Sequence, residues 1–301
     1  MRFHGLDLNL LVVLDVLLSE QNITRAGERL HLSQPATSAA LARLREYFQD
    51  DLLVQVGRKM VRTPVGDGLT MPMRELLIQM RATLENRALF KPAESNRKFR
   101  LIVSDYVGTV LMPDVSRRIN EMAPLCSLEM FPPHNAPAEQ IERGEIDLLL
   151  LPDIQITTDH PSQALFQDEF VCVMCRDNPL DEESMSFERY KRMKHVLVRW
   201  GERRVPTVDE WFLQKFDIER HFDVITNTFN SVPSYLIGTE RLATMHRRLA
   251  ERWIAYLPLK IVPLPWTAPK LTIGMQWNKY QQHDAGLTWI RSLIADTAAS
   301  L

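Results

Sequence analysis

The sequence has 301 residues, 45% hydrophobic and 25% charged, an ordinary globular balance with room for two or three domains. Lys and Arg number 36 against 38 Asp and Glu, a formal net charge of −2. That excludes a polycation and confines any nucleic-acid surface to a local patch.

Arg2, His4 and Asp7 interrupt the first residues, so no secretory leader is expected. The apolar run 10–18 contains Asp15 and is too short to span a bilayer. Apolar side chains at Leu10, Leu11, Leu14 and Leu17 predict a helix over 8–19. Asn22 or Thr24 can cap a second short helix that turns Ile23, Ala26 and Leu30 inward. Ser33 caps a third helix, with Pro35 in its first turn, where a missing N–H is harmless. Leu41, Leu44 and Phe48 form its buried stripe.

Two short extended runs, 52–56 and 60–62, flank a hairpin tip at Gly57, Arg58 and Lys59. Thr63-Pro64 then starts a long helix running towards Leu89, with Leu69, Met73, Leu76, Met80 and Leu84 spaced by threes and fours. Pro72 lies inside it and predicts a kink or a late start. Such a helix suits a spacer with a pairing face. The polar stretch 91–97, "KPAESNR", reads as a hinge.

Beyond the hinge the texture changes. Apolar runs recur at 99–103, 127–131, 147–151, 170–175, 195–198, 223–225, 242–245, 261–264 and 271–275. Helical patterns over 110–122, 136–143, 208–216, 232–239 and 285–295 lie between many of them. Strand–helix alternation with continuously apolar strands predicts parallel sheets covered on both faces.

The first three helices and the hairpin have the arrangement of a winged helix-turn-helix, whose third helix enters the major groove with its first turn leading. That turn needs short side chains able to reach base edges. Gln34, Thr37 and Ser38 lie there at helical spacing, and Ala36 could touch a thymine methyl. Gln can bond adenine in bidentate fashion. Ala26-Gly27 lets the second helix approach closely. Between Gln21 and Arg62 there are seven Lys/Arg and four acids, in a chain otherwise acidic. Arg58 and Lys59 at the hairpin tip would meet phosphates or the minor groove. The expected DNA-binding set is Gln34, Pro35, Thr37, Ser38 and Arg43 on the helix, with Arg58 and Lys59 on the wing.

The stretch "LDLNLLVVLDVLLSEQNITRAGERLHLSQPATSAALARLREYFQDDLLVQVGRKMVRTPVG" resembles the DNA-binding domain of LysR-type transcriptional regulators. "IVSDYVGTVLMP", "HPSQALFQDEFVCVMCRDN", "VDEWFL" and "IGTERLATM" resemble the NodD- and NahR-like subgroup, whose members respond to aromatic compounds. Many relatives carry Arg directly after the Ser of the recognition helix, where this chain has Ala39.

The resemblance implies an N-terminal all-α winged helix-turn-helix over 1–65, a linker and dimerisation helix over 66–90, a hinge over 91–97, and a C-terminal α/β two-lobed effector domain over 98–301. That domain would resemble periplasmic binding proteins, with one lobe from about 98–165 and 270–301 and the other from about 166–269. The resemblance also implies promoter DNA, homodimers, homotetramers, RNA polymerase and a small aromatic or phenolic inducer as partners. Ligands of such domains lie at strand carboxyl ends and helix N-termini. The expected inducer contacts are Ser104, Asp105 and Tyr106, then Phe166 in the crossover between lobes, Trp200, and "NTFNS" with Asn227, Thr228, Phe229 and Asn230.

Other signals carry less. Cys172 and Cys175 form a lone C-x-x-C in a predicted strand, where residues three apart point to opposite faces. The three cysteines, with Cys126, are too few and odd in number for a disulfide framework and fit a reducing cytoplasm. No glycine-rich nucleotide motif occurs, and no metal, cofactor or catalytic residue is expected. The alternative reading is a small-molecule-binding or enzymatic α/β protein with an incidental helical N-terminal domain.

Overall fold

The computed structural model describes residues 2–3, 6–85, 90–133, 137–181, 183, 185–199 and 220–301. The chain forms two compact units, Met1–Arg87 and Ala88–Leu301.

In the first unit a two-residue ladder of β1 (Arg2–Phe3) and β2 (Leu6–Asp7) precedes α1 (Asn9–Glu20), α2 (Ile23–Leu30) and α3 (Gln34–Phe48). The caps follow the side-chain chemistry. Asn22 accepts the Arg25 N–H at 3.0 Å and Ser33 accepts the Ala36 N–H. Leu14, Leu17, Leu18, Ala26, Leu41, Leu44, Leu52 and Leu53 bury one shared core.

The antiparallel hairpin β3 (Leu53–Val56) and β4 (Lys59–Arg62) follows, and Gly57 sits at its tip with φ +63°. At its base, buried Leu52 holds a left-handed φ of 59°, an uncommon conformation for a bulky residue. The Asp50 carboxylate secures it by accepting the Leu52 N–H and the Thr63 hydroxyl, each at 2.6 Å. The Thr63 hydroxyl in turn caps α4 (Pro64–Glu85) by accepting the Gly66 N–H. Pro72 lies inside that helix. Buried Arg74 ties it to α1, donating to Asp15 at 3.2 Å and Ser19 at 2.6 Å.

The second unit contains two five-stranded sheets. The first has the order β6 (Ser127–Phe131), β5 (Lys98–Val103), β7 (Leu148–Pro152), β14 (Leu271–Trp277), β8 (Ser162–Asp168). The second has the order β11 (His221–Thr226), β10 (Lys194–Val198), β12 (Leu242–His246), β9 (Phe170–Cys175), β13 (Leu259–Val262).

Both sheets are mixed, which corrects the expectation of purely parallel ones. β5 runs parallel to β6 and β7, but β14 is antiparallel to β7 and β8. β9 likewise opposes β12 and β13. Apolar continuity reports burial on both faces and carries no direction. In β9, Val171 and Val173 enter one core while Cys172 and Met174 enter another.

The helix expected over 110–122 is α6 (Met112–Met122), opened by Pro113, and a short helix not expected from sequence, α5 (Asp105–Val110), precedes it and ends at Leu111. The remaining described helices are α7 (Pro137–Glu142), α8 (Phe187–Arg192), α9 (Val232–Leu236), α10 (Arg247–Ile254) and α11 (Ala285–Ala298). The helix expected over 208–216 lies outside the described residues. The chain passes between the sheets at Glu169 and returns through residues 263–270.

Candidate DNA-binding and effector sites

At the front of α3, Gln34, Pro35, Ala36, Ser38 and Ala39 are exposed, while Ala40, Leu41 and Leu44 are buried behind them. Thr37 does not join the exposed set. It is 0% exposed, and its hydroxyl donates to the Ser33 carbonyl at 3.0 Å. The reason is Gly27, whose missing Cβ leaves the space that the Thr37 hydroxyl fills. The expected base-reading face therefore narrows to Gln34 and Ser38, flanked by Pro35.

The cations divide by role. Arg45 donates to the carbonyls of Asp51 and Leu53 at 2.8 and 2.6 Å, bracing the hairpin base. Arg62 meets Asp67 and Thr70, and Arg25 and Arg29 pair with Glu20. Arg43 is exposed, with its guanidinium 3.9 Å from Asp7. Arg58 and Lys59 stand exposed at the wing tip with no carboxylate partner among the described residues. A groove of about 700 Å³ runs between the start of α2 (Asn22, Thr24, Arg25) and the wing (Gln55, Arg58, Lys59). A polar front on one helix beside a cationic hairpin is the geometry that places side chains in a major groove and cations on phosphates.

In the second unit β5 ends at Ser104, whose buried hydroxyl caps α5 by accepting the Val107 N–H. The Asp105 carboxylate accepts the Asn230 N–H at 3.0 Å, and the Asn230 side chain meets the Thr109 hydroxyl at 3.1 Å. These bonds join the lobe of the first sheet to the 3-10 turn Phe229–Ser231 of the other. Beneath them lies an aromatic cluster. Tyr106 stacks on His246 with centroids 3.8 Å apart, and Phe229 meets the same imidazole edge-on at 4.5 Å. Phe166 lies 6.3 Å from Tyr106.

The Tyr106 hydroxyl donates to Asp168 at 2.5 Å, and the same carboxylate accepts the Glu169 and Arg248 N–H groups. Burial and the neighbouring Asp168 charge push the Tyr106 phenol far above its ordinary range, so it remains a donor. Burial drives His246 down to about 3, which keeps it neutral.

Two family models match the chain: "Bacterial regulatory helix-turn-helix protein, lysR family" over residues 8–67, and "LysR substrate binding domain" over residues 92–299. The chain belongs to the LysR family of transcriptional regulators. This LysR-type regulator is 42% identical to nodulation protein D 2 of Rhizobium tropici over 299 residues, covering 99% of this chain and 95% of the relative. It is 40% identical to nodulation protein D 1 of Rhizobium leguminosarum bv. phaseoli over 301 residues, covering 100% and 96%. Among solved structures it resembles the probable transcriptional regulator PA0477 from Pseudomonas aeruginosa, at 26% identity and a TM-score of 0.66, covering 97% of each chain. It shares the fold of full-length CbnR complexed with its target DNA, at 14% identity and a TM-score of 0.51, covering 97% of this chain and 100% of that one. No helix among the described residues of this LysR-type regulator is long and apolar enough to cross a membrane.

The structure gathers Ser104, Asp105, Tyr106, Phe166, Thr228 and Phe229 around one region between the sheets. Within it Ser104 acts as a helix cap, Tyr106, Phe166 and Phe229 are core residues, and Asp105 and Thr228 are half-buried. Trp200 lies outside the described residues. Thr109, Asp168 and His246 belong to the same cluster and were not expected from sequence. Asp168 carried a partial signal, an acid just before the continuously apolar run 170–175, which calls for a partner when buried. His246 carried none.

Proposed function

We propose that this regulator binds a promoter through α3 and the wing and responds to a small aromatic or phenolic effector held between the two lobes. The observation that carries the reading is the division of α3 into an exposed Gln34–Ser38 front and a buried Leu41–Leu44 rear, beside a wing whose Arg58 and Lys59 are free to meet phosphate. The relatives named nodulation protein D and the half-buried polar groups at the lobe junction support the effector half: Asp105 and Thr228 offer acceptors and a hydroxyl to a ligand, above a buried aromatic floor of Tyr106, Phe166 and Phe229.

In this reading residues 1–65 bind DNA, 66–90 pair two subunits, 91–97 act as a hinge, and two dimers form a tetramer on bent DNA in the cytoplasm. Effector binding alters the Asp105–Asn230 and Thr109–Asn230 bridges and so re-aims the DNA-binding units and their contact with RNA polymerase. DNase footprinting on the adjacent promoter, with and without a panel of aromatic acids, chlorophenols and flavonoids, tests it. The expected result is a protected region whose pattern changes with one panel member. No protection, or protection that no compound alters, would overturn the reading.

A further inference from the structure

A concavity lies beside the aromatic cluster, where the chain crosses between the sheets. Its volume is about 320 Å³, at the small end of ligand pockets. Phe170, Trp266, Pro263 and Pro269 line it with apolar surface, and Arg247 and Lys270 bring two cations to it. The lining includes one acid, Glu169, which pairs with Arg247 at 3.3 Å. Lys270 has no ion-pair partner among the described residues. Arg247 also stands 3.9 Å from Glu251, so Lys270 supplies the uncompensated positive charge beside a lining rich in aromatic and prolyl surface, a combination that suits an aromatic anion.

Its position gives it consequence. Glu169 and Phe170 belong to the outgoing crossover, and residues 263–270 are the return crossover. A molecule seated here touches both connections between the lobes at once. The site is also continuous with the effector cluster. The Phe170 ring lies 5.3 Å from His246, and the Arg247 N–H donates to the Glu169 carbonyl at 2.8 Å. The residues beside that pair, Asp168 and Arg248, hold the Tyr106 hydroxyl through the Asp168 carboxylate.

We infer that this crossover pocket is a second ligand site, for a small aromatic carboxylate, and that its occupancy biases the angle between the lobes. The ring lies between Trp266 and the prolines, and the carboxylate meets Lys270 and shares Arg247 with Glu169. A ligand that fits only one lobe angle shifts the equilibrium towards that angle, without touching the cleft.

The test uses the full-length protein with benzoate and 1-naphthoate as probes, followed by calorimetry and saturation-transfer NMR. Both should bind with millimolar or better affinity, naphthoate more tightly. Lys270→Glu should weaken binding by about tenfold or more, and Lys270→Arg should retain it. Lys270 is exposed, so neither change threatens folding. A probe-induced shift of the Trp266 indole N–H resonance, lost in Lys270→Glu, assigns the bound probe to this pocket whether or not the proposed effector cleft also takes an aromatic acid. Absence of binding up to about 20 mM, equal affinity in Lys270→Glu, or an unmoved Trp266 resonance would each overturn the assignment.

Discussion

Gly27 and Thr37 stand so close that a methyl group on the glycine would lie 3.0 Å from the threonine hydroxyl oxygen and 2.9 Å from the Leu32 carbonyl. The α2–α3 packing that aims the recognition helix therefore depends on an absent Cβ. Gly27→Ala gains helix propensity, about 1 kcal/mol, but forces the two helices apart. The net expectation is a destabilisation of about 1–3 kcal/mol, read as a lower melting temperature and weaker binding to every DNA sequence.

Gln34 and Arg58 should separate in a sequence-resolved binding assay. Gln34→Ala removes a base-edge contact and should relax preference at one position by about 1–3 kcal/mol. Arg58→Ala removes a phosphate contact, so it should weaken all sequences alike and lower the salt slope by about one. Equal loss on all sequences from Gln34→Ala would remove it from the base-reading face.

Asp105 accepts across the lobes, so Asp105→Ala should loosen one lobe from the other. The Asn230 N–H loses a charged acceptor in a solvent-exposed bond, a change of about 0.5–1.5 kcal/mol because water replaces the carboxylate. Hydrogen exchange at the Phe229–Ser231 turn should accelerate while the amides of β5 and β9 stay protected. Uniform acceleration would show a general loss of stability instead.

Acid should destabilise the second unit. His195 is held down to about 4 by burial and by Arg220, and His246 to about 3 by burial alone. Both are neutral in the folded chain, whereas in the unfolded chain they bind a proton near pH 6.5. Between pH 6.5 and 4 the unfolded state therefore binds more protons, and stability is greatest above that window and falls as pH drops through it. Each contributes a loss of about 2 kcal/mol by pH 5. Denaturant titrations across this range should show the slope, and His246→Phe should flatten it.

The local elements were legible because their signals are local. Ser33 and Asn22 cap the helices that their spacing predicts, and the wing follows its Gly57. Thr37 was misread because helical spacing gives a face but does not say which edge of that face a neighbour covers, and Gly27 decides it. β8, "SQALFQD", was missed because its outer residues are exposed and polar, and its place is set by pairing with β14 more than 100 residues later. Strand direction was unreadable for the same reason. In the effector cluster the aromatics announced themselves beside turn motifs, whereas the partners of Tyr106, Asp168 and His246, come from strand ends distant in the chain, where pairing is a property of the fold alone.

The single carboxylate of Asp50 fixes both the left-handed Leu52 and the first turn of α4 through Thr63. The hairpin between them is thereby pinned at both ends to one atom group, and its length cannot drift by a residue without uncapping a helix and releasing a strained leucine together. Change in how far the wing reaches is therefore open to side-chain replacement at Arg58 and Lys59, and closed to insertion or deletion at the base. Among descendants of this sequence the wing should diversify in chemistry while its span stays constant.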